Sequence, residues 1–250
     1  MNKRAAARTF TVIDKTLITP NMLRVTLGGD AMTSFPADQS SAYVKLRFAQ
    51  AHSARPLLRT YTIRSQRADS IDIDFVRHGD GGPAARWAEA AQPGDTIDIG
   101  GPGPKKRVDP NADWVLLIGD MTALPAISAN IEDLPADTKG QVVIEVLHED
   151  DIQSLIKPEG VAIHWAVNPR PGHDSHVLYD AVCALDWPDG RVSAWCACEF
   201  NTLRRIRRHL KNERGIDRQH LYVSSYWQDG VDETGHKENK RADSAVANAS

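Results

Sequence analysis

The sequence is poor in cysteine: Cys183, Cys196 and Cys198 are the three thiols among 250 residues. That is too few for a disulfide framework and one short of a four-thiolate zinc or iron–sulfur centre. Cys196 and Cys198 fall in the apolar run 192–198, which predicts burial in a strand. No apolar run is long enough to cross a bilayer, and the basic start 1–8 leads into alternating residues 9–13 without a signal-peptide core. The cytoplasm is the expected compartment, with no membrane partner. A net charge of −3 gives no general attraction to nucleic acid. No Ser-His-Asp or Cys-His arrangement stands out. His148, His164, His173 and His176 are joined by no acidic cluster at ligand spacing, so no metal is expected.

What is present divides in two. Residues 9–15, 23–28, 42–48, 59–65, 70–77 and 96–99 are short segments rich in β-branched and aromatic residues, the pattern of a small antiparallel barrel. A helix over 84–91, with Pro83 at its first position, interrupts them before the turn Gln92-Pro93-Gly94-Asp95. After the linker 100–104, strands at 114–118, 142–147, 161–167, 192–198 and 221–226 alternate with helices at 123–132, 151–156, 176–185 and 202–213. Alternation of this kind predicts a parallel sheet covered by helices. The expected domains are therefore a barrel over 1–108, an α/β domain over 109–230 and a partly disordered polar tail over 231–250.

Arg59-Thr60-Tyr61-Thr62-Ile63-Arg64 carries the chemistry of the first half. On a strand Arg59 and Tyr61 share a face roughly 7 Å apart, so a guanidinium for phosphate stands beside an aromatic ring. Thr62 points the other way and would need its amide, or a bulge, to reach the same ligand. Further on, His78-Gly79-Asp80-Gly81-Gly82-Pro83-Ala84-Ala85 enters a helix, whose first amides and partial positive charge suit an anion. An ordinary surface strand and a glycine-rich turn remain the alternatives for these two elements.

Together these elements resemble the flavin-binding barrel of the ferredoxin reductase-like superfamily. The motifs Asp74-Phe75-Val76-Arg77-His78-Gly79, Gly82-Pro83-Ala84, Trp87-Ala88, Pro93-Gly94-Asp95, Gly119-Asp120-x-Thr122-Ala123-Leu124-Pro125 and Tyr226-Trp227 narrow this. In order and spacing, from about residue 9 to 230, they resemble the siderophore-interacting protein family. The resemblance implies an FAD enzyme that reduces ferric iron within an imported siderophore to release Fe(II). It implies an antiparallel six-stranded flavin-binding barrel followed by an NAD(P)-binding-like α/β domain.

The resemblance also assigns residues. Arg59 would contact the FAD diphosphate, Tyr61 and Thr62 the isoalloxazine, with Thr62 nearest N5; Thr60 and Arg64 of the same strand count among the cofactor contacts. Asp74, Val76 and His78 would line the ribityl and adenine side, and Gly82, Pro83, Ala84 and Ala85 would bracket the diphosphate. Many relatives carry Ser where Ala85 stands, and Glu where Met121 stands. Thr122 either reaches the flavin or a nicotinamide, or caps a helix. Tyr226 and Trp227 either cover a ring face or anchor the last strand. For an anionic ferric chelate the candidates are Lys45, Arg47, Lys237, Lys240 and Arg241.

The Gly-x-Gly-x-x-Gly fingerprint is absent, so the nucleotide signal of the second half is weak. NAD(P)H and ferredoxin are both open as electron donors. The cluster Arg204, Arg205, Arg207, Arg208 and Lys211 would suit an acidic ferredoxin, an NADPH phosphate, or simply a solvated helix face. A general NAD(P)H:flavin oxidoreductase and a non-catalytic ferric-chelate binding protein are the alternative functions, and a monomer is expected.

Overall fold

A computed structural model describes residues 7–50, 53–77 and 81–249. His78 lies outside the described residues. The chain forms two compact units. One runs to Lys106 and adds Pro125–Asp133 and Gln153–Leu155; the other holds Arg107–Leu124, Leu134–Ile152 and the chain from Ile156.

In the first unit, β1 (Arg8–Thr19), β2 (Met22–Gly28), β3 (Tyr43–Gln50), β4 (Ser53–Gln66), β5 (Ser70–Val76) and β6 (Thr96–Gly100) form a closed barrel. The order is β1-β2-β5-β4-β3-β6, and every pairing is antiparallel. Period-two alternation sends Val25, Leu27, Val44, Leu46, Ile71, Ile73 and Phe75 into one core, and Ala84 and Ala88 of α1 (Pro83–Ala90) join it. Charge fills the other face of the β2/β5 pair, where Arg24 stands opposite Asp74 and Thr26 opposite Asp72. Burial pushes the Asp72 carboxyl up, but hydrogen bonds from Arg67, Ser65 and Thr26 outweigh it and hold the group at about 2.

The second unit is built on a parallel five-stranded sheet in the order β11-β10-β7-β8-β9. Its strands are β7 (Trp114–Asp120), β8 (Gly140–Val146), β9 (Val161–Val167), β10 (Val192–Glu199) and β11 (Leu221–Trp227). β7 and β10 are buried along their whole length, as strands covered on both faces must be. Cys196 and Cys198 lie in this core with Leu178 and Val182 of α3 (Val177–Cys183) and Leu203 and Ile206 of α4 (Phe200–Arg208). Between β7 and β8 the chain forms α2 (Leu124–Glu132).

Three expectations need correction. No helix spans 151–156: a single 3-10 turn at Glu149–Asp151 is closed by a capping box with His148, and Ile152 is already extended. Ile156 is exposed, so the segment has no apolar face to bury as a helix. The basic helix starts earlier, at Phe200, because Glu199 accepts from the amides of Asn201 and Thr202, and it ends in a π turn at His209–Glu213. The tail is helical, α5 (Glu233–Ala249), and tertiary contacts rather than an apolar stripe order it. Lys240 donates to Ser224 Oγ and the Ser225 carbonyl, Ser225 bonds His236, and Asp243 receives both arms of Arg207 at 2.6 and 2.8 Å.

Candidate functional site

In the barrel, Arg59 pairs across the strands with Leu46 and Tyr61 with Val44, so both project to the side of the barrel core. The Tyr61 ring lies 4.5 Å from Phe75, which lies 5.9 Å from Trp87, which in turn meets Phe48 at 6.2 Å. Buried Phe75 thus backs a platform of half-buried rings, Tyr61, Trp87 and Phe48, on the same side of the barrel as the half-buried Arg59. Thr60 and Thr62 take the opposite face, opposite Lys45 and Tyr43. The register shift in β4 falls between Ile63 and Ser65, beyond Thr62.

α1 opens with Gly82 as its cap residue, which has no side chain to bond the first amides, and with Pro83 at its first position. Among the described residues, nothing lies within 4 Å of a Cβ built on Gly82. Ala84 points into the core, so its amide is what it offers to a ligand, and Pro83 and Ala85 flank it. A pocket of about 670 Å³ runs along this helix, lined by Pro20, Asn21, Arg77, Gly81, Ala85, Arg86, Glu89 and Ala90. Of these, sequence reasoning singled out Ala85 as a contact. Arg77 lay within a quoted motif, whereas Asn21 and Glu89 carry no local signal.

Two expected cofactor contacts are engaged elsewhere. Arg64 forms a two-armed ion pair with Glu132, 2.9 Å at Nη1, because the bulged strand turns it toward that carboxylate. Asp74 is held by Arg24 at 2.6 and 2.8 Å, its natural cross-strand partner. Val76 is half-buried at the end of β5, opposite Met22.

In the sheet unit, Asp120 organises the end of β7. Its Oδ1 accepts from the amide and hydroxyl of Thr122, and its Oδ2 from the Glu199 amide and the Trp227 indole. Thr122 is therefore a donor to Asp120 through both its amide and its hydroxyl. Trp227 is anchored at Asp120, and Tyr226 sets its edge on Trp195 at 6.3 Å. Burial raises the Asp120 carboxyl above its usual range against these hydrogen bonds. Glu145 in β8 is pushed up to about 7, first by burial, while Asn168 opposes the shift and the charge of Asp120 adds to it.

Of the candidate chelate-binding cations, Lys45 is half-buried on the outer face of β3, Arg47 is exposed on the same face, and Lys237 and Arg241 are exposed on α5. Lys240 is committed to β11. The basic cluster of α4 is also largely engaged: Arg204 and Arg207 meet Asp243, and Arg205 lies over the Tyr179 ring at 4.2 Å. Among the described residues no three His, Cys, Asp or Glu side chains converge as a metal site.

The siderophore-interacting protein model matches residues 112–230, and the siderophore-interacting FAD-binding domain model matches 11–54 and 49–106. The chain belongs to the siderophore-interacting protein family. It is 35% identical over 260 residues to the ferric vibriobactin reductase ViuB of Vibrio cholerae, covering 95% of each chain. The siderophore-interacting protein SipS from Aeromonas hydrophila superposes with a TM-score of 0.86 at 33% identity, over 95% of this chain and 97% of that one. A siderophore utilization protein from T. fusca gives 0.80 at 33%, over 92% and 96%. FAD is thus the family's cofactor, and the barrel fits it: a helix start at Gly82-Pro83, an aromatic platform and a guanidinium on the same side as that platform.

Proposed function

We propose that this protein is an FAD-dependent reductase that converts Fe(III) in a siderophore to Fe(II). One observation carries the reading: Arg59 and Tyr61 share one side of β4 in a barrel whose α1 starts at Gly82-Pro83, within a chain matched by both family models. Bound FAD supplies the means to take up an electron pair and pass electrons on singly. Arg59 and the amides that follow Gly82 would hold its diphosphate, and Tyr61 would pack on its ring, with Thr62 at the ring's polar edge. On the barrel, Lys45 offers positive charge to an anionic chelate. Hard oxygen ligands bind the trivalent ion far more tightly than the divalent one, so a single electron loosens the complex and spares the chelator. Such outer-sphere transfer requires no acid or base side chain.

NAD(P)H is the first candidate as donor. Ferredoxin is the second candidate, although Asp243 and Tyr179 already engage three of the arginines that would greet it. The test is anaerobic: FAD-loaded protein is reduced with dithionite and mixed with a ferric catecholate, a ferric hydroxamate or free FMN, with a ferrous trap present. Chelate-dependent flavin reoxidation with matching Fe(II) release is expected. A flavin that stays reduced in the presence of both chelates overturns the proposal, and faster oxidation by FMN than by either chelate favours a general flavin reductase.

A further inference from the structure

Each of the strands β7, β8 and β10 carries a buried acid toward its carboxyl end: Asp120, Glu145 and Glu199. In an open parallel sheet this is the edge where a nucleotide diphosphate settles, on the amides of the helices that follow. Here an amide at each of these three turns is already satisfied from within. Glu199 Oε2 accepts from Asn201 N at 2.6 Å and Thr202 N at 3.0 Å, in the first turn of α4. The Leu178 amide in the first turn of α3 donates to Glu145. Thr122 N donates to Asp120 at the turn into α2.

An independent feature covers the same edge. The loop after β9 is tied down by Asn168, which donates to Glu145 Oε1 at 2.8 Å and to the Asp174 carbonyl at 3.1 Å. It then reaches the far side of the sheet. A Cβ on Gly172, whose φ is +91°, would lie 2.7 Å from Asp229 Cβ and 3.2 Å from the Trp227 ring. Since β9 and β11 are the two edge strands, this loop passes over the ends of the strands between them. Trp227 in turn is bonded to Asp120. The loop's own arginine, Arg170, is paired with Asp174 at 3.0 Å. An entering diphosphate would meet carboxylates in place of free amides, beneath a loop already seated on Trp227.

We infer that the carboxyl edge of this sheet is closed to the diphosphate of a nicotinamide dinucleotide, so that the adenosine diphosphate half of such a donor adds nothing to its recognition. Asp120, Glu145, Glu199 and the Gly172–Trp227 contact set this selectivity. The dihydronicotinamide ring is then the whole of what a nicotinamide donor offers. The inference rests on the reductase reading above for its kinetic arm alone.

The test mixes FAD-loaded protein anaerobically with NADH, NADPH or reduced nicotinamide mononucleotide, and separately titrates NADP+ by calorimetry. Flavin reduction is expected to rise linearly with donor concentration, with the three rates within about threefold of one another and no saturable NADP+ binding. Saturation by NADPH, with the mononucleotide more than about tenfold slower, overturns the inference, as does stoichiometric NADP+ binding. If dithionite-reduced protein fails to reduce a ferric chelate, the functional proposal falls, whereas the calorimetric result still decides whether the edge is closed.

Discussion

The indole Nε1 of Trp227 donates to Asp120 Oδ2 at 2.8 Å and so joins the ends of β11 and β7, two strands that β10 separates. Asp120 is buried, and each of its donors offsets part of the cost of keeping a carboxylate from water. Trp227→Phe keeps the ring and removes one donor. The expected loss is about 1–3 kcal/mol, read as a lower urea midpoint with an unchanged slope. An unchanged midpoint would show that the bond contributes nothing net.

Glu145 gives the sheet unit a pH dependence of definite sign. Its carboxyl is pushed from 4.5 to about 7 in the folded protein, so the folded state holds this proton more tightly than the unfolded chain. Its contribution is greatest below pH 4.5 and is lost as pH rises through about 7. Glu145→Gln, which retains an acceptor oxygen for Asn168 or Leu178, should flatten stability over this window. At pH 8 the gain should be at most about 3 kcal/mol, measured by denaturant unfolding at several pH values.

Arg59→Ala should weaken FAD binding by roughly 10- to 100-fold, the effect of losing charge-assisted bonds to a phosphate. Tyr61→Ala should also weaken it, while Tyr61→Phe, which keeps the ring on Phe75, should stay within about threefold of the parent. Titration of apoprotein with FAD, followed by flavin fluorescence, measures all three. Equal affinity of Arg59→Ala and the parent would remove the guanidinium from the site.

Asp243→Asn should loosen α5. Arg207 is largely shielded from solvent and would lose a carboxylate bonded to both of its arms. Faster amide exchange confined to the last helix, with a cost of about 1–2 kcal/mol, is expected. Uniform exchange rates across the variant and the parent would contradict this anchoring role.

Both architectures were legible in the sequence because strand alternation and uninterrupted apolar strands are written locally. The barrel core residues Ile71, Ile73 and Phe75 alternate, and the run 192–198 is apolar throughout. What escaped depended on distant partners. α5 has no continuous apolar stripe, and its order comes from Lys240 and Asp243 meeting Ser224 and Arg207, residues of β11 and α4. The helix expected from Thr202 starts at Phe200 because Glu199, a strand residue, supplies the cap. The partners of Arg64 and Asp74 escaped for the same reason: a cation or carboxylate in a motif does not announce that Glu132 or Arg24 faces it. What could be read of the candidate site was the common side of Arg59 and Tyr61, which strand spacing alone fixes.

The strand order also bears on how the chain leaves the ribosome. The barrel is complete once β6, ending at Gly100, has emerged to pair with both β1 and β3. The sheet is different, because β7 lies between β8 and β10, and β10 begins only at Val192. Throughout the intervening synthesis, one side of the all-buried strand Trp114–Asp120 lacks its native neighbour. A nascent or truncated chain ending before that point presents a bare apolar β edge, so the second half of this protein is the part that most needs chaperone protection during translation.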